Sequence, residues 1–332
     1  MKVAFCVAGI TERVLQRTEF YWQDYEILRS LGHEVTFISS PFSLRGSYQL
    51  AFVWWWNYLW EWGPIASFRG VPILTTGVFD IGSFHEMPWF KRKLKLWGAR
   101  KSDLNVVLSR QEERELPGML GEGHGPVRFS PLAVDSRVYA APSKKASDEN
   151  TFTILNIAWQ RATNIRRKMV PELLEAFAIL TKESPGCRLV LAGPSEDGGP
   201  VLQARARELG VESRVEFPGE VSREKKVELL QKCSLYSQVS RYEGFGLAIA
   251  EAMACGAPVL VSSAGAVPEV VGDCGTYVKE PSVQGILEGL RHCMNQPDEL
   301  RQKADKAVER VRTEFSVERR REDLRRFIGE LV

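Results

Sequence analysis

The hydrophobic pattern of the chain alternates between short apolar runs and longer stretches with helical periodicity. In the first half the apolar runs include KVAFCVA, EVTFIS, VPILTT and LNVVLS, and a second series begins with FTILNIA and continues through CRLVLAG to GTYVKE. Alternating strands and helices predict a parallel sheet with helices on both faces. We therefore expect an α/β protein made of two Rossmann-like, doubly wound halves that face each other across a cleft.

A stretch without periodicity separates the two halves. Residues 134–151 are rich in Ser, Lys, Asp and Asn, as is typical of a linker. A chain of 332 residues has the length of two domains, and we assign residues 1–142 to the first and 151–314 to the second. The final segment, 315–332, has a serine at a helix N-cap position and apolar residues at helical spacing. We expect it to form a helix that packs across both halves.

Composition excludes some partners. Forty-four basic and 42 acidic residues leave a net charge of +2, so no global field points to nucleic acid. The six cysteines have no C-x-x-C pair and stand in apolar stretches. We expect buried, reduced thiols and a cytoplasmic protein. The N-terminal MKVAFCVAG is too short for a signal sequence and is predicted to be a first buried strand.

Tryptophan is concentrated in residues 48–68, YQLAFVWWWNYLWEWGPIASF. Its polar residues and its Gly-Pro step disfavour a transmembrane helix. One interpretation is a core strand, LAFVWWW, followed by an irregular aromatic segment. The other is that some of the indoles face a sugar or a lipid, since an indole stacks on the apolar face of a sugar ring.

Ligands of open parallel sheets bind outside the carboxyl ends of the strands, so we expect the reaction site in the groove between the two sheets. Neither VAGITE, after the first strand, nor IAWQRA, after the first strand of the second half, contains a G-x-G-x-x-G turn. A nicotinamide dehydrogenase is accordingly disfavoured.

The segment SRYEGFGLAIAEAMACGAPVLV, residues 240–261, places two glutamates around a glycine-flanked turn that opens a helix. The amides at this turn form an anion site at the helix N-terminus, and they belong to Gly244, Phe245, Gly246 and Leu247. Glu251 lies about one turn further on, where it can accept hydrogen bonds from hydroxyls beside a phosphate. Glu243 precedes the helix, where a carboxylate would stabilise positive charge that develops on a ligand.

This segment, extended to GTYV, closely resembles the signature of retaining GT-B glycosyltransferases, family 4 in particular, whose hallmark is two glutamates separated by seven residues. The resemblance covers most of the second half, including LVLAGPSE and VEFPGEVSREKKVELL, and is thinner in the first half. It implies that Glu243 lies against the donor sugar and that Glu251 binds the nucleotide ribose. Gly193, in LVLAGPSE, is assigned to donor binding on the same basis. The first half would bind the acceptor.

The resembling family holds the donor diphosphate with an arginine and a lysine from the loop after the first strand of the second half. In AWQRATNIRRKMVPE we assign these roles to Arg161 and Lys168. Arg166 or Arg167 could take the arginine's place, because the spacing is slightly long. The usual Lys-Gly pair is Lys-Met in this chain. No Asp-x-Asp pair occurs, so we expect no metal ion, with fixed cations acting in its place.

The first half departs further from the family pattern. A histidine often follows the fourth strand, whereas LTTGVFDIGSFHE has Val78 and Phe79 there and His85 later. Two interpretations of His85 stay open, a role in the groove or a structural position at a helix start. Asp80 and Ser109, at strand ends, are further candidates for the groove.

The sequence thus predicts a retaining glycosyltransferase that moves a hexose from a nucleoside diphosphate sugar, with UDP the expected nucleotide, to a hydroxyl of a glycan or a glycolipid. Alternatives are a sugar-nucleotide epimerase or hydrolase on the same fold and a non-catalytic sugar-nucleotide sensor or scaffold.

Basic and aromatic residues alternate at helical spacing over residues 90–101. This helix is interpreted either as a peripheral contact with an anionic membrane or as a solvated basic face.

Overall fold

The computed structural model describes residues 1–43, 47–143 and 151–332. The chain divides into two compact units, the first made of Met1–Ala133 with Phe315–Val332 and the second of Val134–Glu314. Of the linker predicted at 134–151, residues 144–150 lie outside the described residues.

The first unit is built on a parallel sheet that has six strands in the described part of the chain, in the order β2-β1-β3-β4-β5-β6. Its strands are β1 (Lys2–Cys6), β2 (Glu34–Ile38), β3 (Leu50–Trp54), β4 (Ile73–Gly77), β5 (Leu104–Val107) and β6 (Val127–Phe129). The helices between them are α1 (Glu12–Arg17), α2 (Glu19–Ser30), α3 (Leu59–Phe68), α4 (Trp89–Lys101) and α5 (Arg110–Leu120). Every residue of β3, β4 and β5 is buried, as expected when helices cover both faces of a sheet.

The second unit repeats this architecture, with strand order β12-β11-β10-β7-β8-β9 among its described residues. Its strands are β7 (Phe152–Ile157), β8 (Cys187–Ala192), β9 (Val215–Gly219), β10 (Leu235–Gln238), β11 (Val259–Val261) and β12 (Thr276–Tyr277). Its helices are α6 (Ala162–Arg167), α7 (Val170–Glu183), α8 (Gly198–Glu208), α9 (Arg223–Lys232), α10 (Leu247–Ala254), α11 (Val267–Val271), α12 (Val283–Asn295) and α13 (Pro297–Glu314).

The strand order of the second sheet reverses between β7 and β10. The chain runs outward from β7 through β8 to β9, then returns so that β10 pairs with the free side of β7. In open parallel sheets this switch point leaves a crevice at the carboxyl ends of the two strands. The loops that follow β7 and β10 are therefore the predicted place for a ligand.

The last helix, α14 (Val317–Leu331), belongs to the first unit, where it packs on α2. The Arg320 guanidinium forms a bidentate pair with Asp24, with Nε–Oδ1 at 2.6 Å and Nη2–Oδ2 at 2.8 Å. Its Nη1 donates to the carbonyl oxygens of Ser130 and Pro131 at 2.9 and 3.0 Å. Both charged side chains are fully buried. The pair is thus fully hydrogen-bonded, the condition under which buried charges are tolerated.

The tryptophan-rich segment contains both buried and exposed indoles. Trp54, Trp56 and Trp62 are fully buried, whereas Trp60 is half exposed. The expected irregular segment is instead a short 3-10 turn followed by α3, which continues through Pro64. Pro64 is exposed, so the carbonyl that loses its helical hydrogen bond can face water.

The six cysteines are buried and unpaired, as predicted. None of the helices in the described part of the chain has the length and apolarity needed to cross a bilayer.

Candidate active site

Glu243 lies in the loop between β10 and α10, at the switch point of the second sheet. Gly246, with φ +91°, directly precedes the first helical residue, Leu247. The carbonyl of Glu243 accepts the amide of Ala266 at 2.9 Å. Gly265 has φ +57°, and a Cβ there would clash with this carbonyl, so only glycine fits without strain. The loops after β10 and β11 thereby fix the backbone at Glu243.

The Glu243 carboxylate has four side-chain partners, and the residue is only 7% exposed. Lys168 Nζ lies 3.1 Å from Oε1 and Arg167 Nη1 lies 3.2 Å from Oε2. Oε1 also accepts hydrogen bonds from Gln238 Nε2 at 2.8 Å and from the Ser240 hydroxyl at 3.0 Å. The carboxylate is therefore held in one orientation by two cations and two neutral donors.

These contacts decide the charge state of Glu243. Burial raises the pKa of its carboxyl, but Lys168 and Arg167 outweigh burial and leave the pKa below the ordinary value. Glu243 is therefore ionised at neutral pH. Burial lowers the pKa of Lys168, even though the negative charge of Glu243 raises it. The ammonium form of Lys168 is therefore costly to bury, which favours an anionic partner beside it.

The two cations come from the end of α6, in the loop that follows β7. Arg167 Nη1 donates to the Tyr242 carbonyl at 2.6 Å and Nη2 to Asn164 Oδ1 at 2.9 Å, while the amide of Arg241 donates to the Arg167 carbonyl at 2.8 Å. The loop after β7 is thereby tied to the loop after β10.

Lys168 is followed by Met169, which has a left-handed backbone with φ +46° and ψ +37°. This is the position where the family pattern has glycine, which adopts such a conformation without strain. The Met169 side chain is buried in the core of the second unit, which compensates for the strain. The core of the second unit therefore holds Met169 in a conformation that is usual for glycine.

Arg161 and Arg166 lie elsewhere on this loop. Arg161 directly precedes α6, is exposed, and forms an ion pair with Glu196 at 3.7 Å. Arg166 is exposed near the end of α6. The structure thus brings Lys168 and Arg167 to Glu243 and places Arg161 beside the loop after β8.

Glu251 is buried on α10, and Lys226 from α9 lies 2.6 Å from its Oε2. The Lys226 ammonium also lies 5.2 Å from the centre of the Tyr139 ring. Each of the two glutamates, Glu243 and Glu251, therefore forms an ion pair with a lysine. Lys226 was missed in the sequence, where KK in REKKVELL has the pattern of an exposed helix face.

The remaining donor candidates lie on two loops. Gly244 and Phe245 form the turn before α10, and Phe245 is buried. Gly193, with φ +131°, follows β8, and a Cβ there would clash with the carbonyl of Ala158, at the end of β7. Gly193 therefore allows the loops after β7 and β8 to approach each other.

Candidates in the first unit cluster after β4 and β5. Asp80 has a left-handed backbone, with φ +61°, and its amide donates to Glu112 Oε1 at 2.8 Å. The Ser109 hydroxyl accepts the Glu112 amide and caps α5. Burial raises the pKa of Glu112 to about 7. His85 is exposed on a 3-10 turn next to Phe84. The sequence had not singled out Glu112.

Gln238 and Ser240 were missed as well. Each is a polar residue in a buried strand or loop, and such residues need a partner, so the signal was present although the partner could not be named. Across residues 1–43, 47–143 and 151–332, no cluster of three or more His, Cys, Asp or Glu side chains is arranged to hold a metal ion.

Comparison with known proteins identifies the second unit. The family model described as glycosyl transferases group 1 matches residues 143–311, about half of the chain. An MMP alpha-(1->4)-mannosyltransferase of Mycolicibacterium hassiacum is 33% identical over 189 residues, which are 56% of this chain and 44% of that protein. An N-acetyl-alpha-D-glucosaminyl L-malate synthase of Bacillus anthracis is 31% identical over 160 residues, 47% of this chain and 41% of that protein. The matched segments thus span less than half the length of these two relatives.

Solved structures match the whole fold. Sucrose-phosphate synthase from Thermosynechococcus elongatus superposes with a TM-score of 0.81 at 16% identity, over 99% of this chain and 98% of that chain. HepE from Anabaena, in complex with UDP and glucose, gives 0.80 at 18% identity over 99% and 100%. These neighbours share the GT-B fold. The chain has this fold and belongs to the glycosyl transferases group 1 family.

Proposed function

We propose that the protein is a retaining glycosyltransferase that moves a hexose from a nucleoside diphosphate sugar, a UDP-sugar, to a hydroxyl of a glycan or a lipid-linked acceptor. The observation that carries the proposal is the contact of Glu243 with Lys168 and Arg167 immediately before the N-terminus of α10. Opposite charges are thereby fixed at the switch point of the sheet, where a ligand is expected.

Each charge has a task in transfer from such a donor. The departing diphosphate gains negative charge, which Lys168, Arg167 and the first amides of α10 stabilise. The sugar gains positive charge, which Glu243 stabilises. The leaving phosphate can then take the proton of the acceptor hydroxyl on the same face, so the anomeric configuration is retained. Glu251 accepts hydrogen bonds from the ribose hydroxyls.

Relatives support the choice of substrates. A mannosyltransferase and a glucosaminyl malate synthase match the second unit, and the structurally similar HepE has been crystallised with UDP-glucose. We also propose that turnover needs no divalent metal, because Lys168 and Arg167 supply the positive charge that a metal would otherwise bring. A cytoplasmic location is proposed as well, since the six cysteines are unpaired.

The test is incubation with a panel of UDP- and GDP-linked hexoses, with and without hydroxyl acceptors, and with EDTA in a parallel series. We expect release of nucleoside diphosphate that depends on acceptor, survives EDTA and yields a product with the donor's anomeric configuration by NMR. Glu243→Gln is the matched inactive control. Epimer formation without acceptor would support the epimerase, tight binding without turnover would support the sensor, and an inverted product would rule out retention.

A further inference from the structure

Exposed large hydrophobic side chains are concentrated on two neighbouring helices of the first unit. Phe68 is 92% exposed, Trp89 64% and Trp60 53%. Of the eleven large hydrophobic residues exposed in the described part of the chain, six are on α3 and α4, and scattered exposure would not concentrate them in this way. These six residues define the α3–α4 face: Trp60, Phe68, Trp89, Phe90, Leu94 and Trp97.

The two helices form one stretch of surface because they pack against each other. A Cβ added to Gly63 of α3 would lie 3.7 Å from the ring of Trp97 of α4, so this half-exposed indole lies beside α3. On α3 the exposed residues Trp60, Pro64 and Phe68 follow one another at intervals of four and share a side of the helix. On α4 the exposed apolar residues occupy the side opposite the buried Lys95 and Ala99.

Basic residues are interleaved with these aromatic residues. Helix α4 contains six basic residues and no acidic one. Lys93 Nζ lies 5.0 Å from the centre of the Trp89 ring, and the exposed Lys101 falls at helical spacing from Trp97 and Leu94. Exposed lysines therefore lie among the aromatic residues of the α3–α4 face.

We propose that the α3–α4 face docks on an anionic lipid bilayer. Aromatic side chains are favoured at the level of the lipid headgroups, and lysines beside them contact the lipid phosphates. A second copy of the chain fits less well. It would bring the α4 helix of each copy together, and since α4 has basic but no acidic residues, like charges would oppose association. This inference goes beyond glycosyl transfer and does not depend on it.

The experiment is sedimentation of the full chain with vesicles of phosphatidylglycerol and phosphatidylcholine, compared with phosphatidylcholine alone, at low and high salt. We expect binding to the anionic vesicles that weakens as salt rises. The double variant Lys93→Glu/Lys101→Glu should weaken binding by at least about 25-fold, since each basic residue near a charged surface contributes about fivefold. Phe68→Ser/Trp89→Ser should weaken it by about tenfold, because exposed apolar area no longer enters the interface.

Two matched controls keep the test specific to this face. Arg301→Glu/Lys306→Glu, on exposed positions of α13, makes the same change in net charge, and Trp159→Ser removes an exposed indole of the second unit. Both should bind vesicles as the unaltered chain does. The proposal is overturned if the unaltered chain does not sediment with anionic vesicles or if the controls lose as much binding as the α3–α4 variants. Loss of a dimer or of RNA binding in Phe68→Ser/Trp89→Ser, with vesicle binding unchanged, would overturn it too.

Discussion

Gln238 Nε2 donates a hydrogen bond of 2.8 Å to Glu243 Oε1, and Oε1 of the same amide accepts one of 2.6 Å from the Tyr236 hydroxyl. Gln238 and Tyr236 are fully buried on β10. An amide that accepts at its oxygen must present its nitrogen on the other side. Tyr236 therefore orients Gln238, and Gln238 orients the carboxylate.

Removing the Gln238 donor should slow turnover without loss of nucleotide binding. Gln238→Met keeps the volume but leaves Glu243 one hydrogen bond short, so we expect kcat to fall about tenfold. Tyr236→Phe frees the amide to rotate and should produce a smaller loss in the same direction. Initial rates at saturating donor, with UDP calorimetry alongside, measure both effects. A loss of UDP affinity as large as the loss of kcat would point to general damage to the sheet instead.

Kinetic and binding measurements should distinguish the roles of Glu243 and Glu251. Glu243 acts on charge that exists only in the transition state, so Glu243→Gln should lower kcat by about 100-fold or more while UDP binding stays nearly intact. Glu251 contributes to bound donor and transition state alike. Glu251→Gln should weaken UDP binding by roughly 1.5 to 3 kcal/mol, with a smaller effect on kcat. A Glu243→Gln enzyme with normal kcat would falsify the proposed mechanism.

The cations near Glu243 can be ranked in the same assay. Lys168→Ala and Arg167→Ala should each remove roughly 3 kcal/mol of transition-state stabilisation. Arg161→Ala is the matched control, because its exposed pair with Glu196 predicts a rate within about fivefold of the unaltered chain. If Arg161→Ala loses as much as Lys168→Ala, the role implied by the family resemblance belongs to Arg161, and Arg167 only holds Glu243.

At position 169 a glycine variant should be more stable than an alanine variant, which reverses their usual order of stability in a helical protein. Both substitutions lose the buried side chain, but only glycine relieves the left-handed backbone. We expect Met169→Gly to be more stable to denaturant than Met169→Ala by about 1 kcal/mol. Met253, buried within α10, is the control, where alanine should be the more stable by about 1 kcal/mol. The same order at both positions would show that Met169 stores no strain.

Glu112 gives stability a pH dependence of known sign. Its pKa rises from 4.5 to about 7 on burial, so between these values the folded protein holds a proton that the unfolded chain has released. The free energy of unfolding should therefore fall by about 3 kcal/mol as pH rises from 4.5 to 7.

Denaturation at several pH values, with the variants compared with the unaltered chain, isolates this contribution. Glu112→Gln keeps an acceptor for the Asp80 amide and should remove the slope, whereas Glu115→Gln, at an exposed position of the same helix, should leave it unchanged. If the free energy of unfolding depends on pH equally in the unaltered chain and in Glu112→Gln, the buried carboxyl does not titrate between pH 4.5 and 7.

Part of the geometry of the candidate site could be predicted from the sequence, because the residues of that part are neighbours in the chain. The turn at Gly244–Gly246, the start of α10 at Leu247 and the carboxylate before it are local features of one segment. The choice between Arg161 and Arg167 is different, because successive residues on a helix point about 100° apart and only the docking of α6 decides which one meets Glu243. Pairing of Asp80 with Glu112 depends on the alignment of β4 with β5, which no local pattern specifies.

The fold could be predicted where periodicity was clear. Alternating strands and helices predicted both sheets, but α3 was missed because LWEWGPIASF is apolar on most sides and contains a Gly-Pro step. Such a segment shows no amphipathic period. Its helical form becomes evident only when Trp62 is seen in the core and Trp60 at the surface.

The docking of α14 through Arg320 and Asp24 makes the first unit discontinuous in the chain. During synthesis the ribosome must add the intervening Val134–Glu314 before the partner of Asp24 exists. At about 5 to 20 residues per second this delay lasts about 10 to 40 s. The second unit, continuous in the chain, can fold within that interval, while Asp24 stays without its guanidinium. The first unit therefore cannot complete its buried ion pair until α14 has been synthesised.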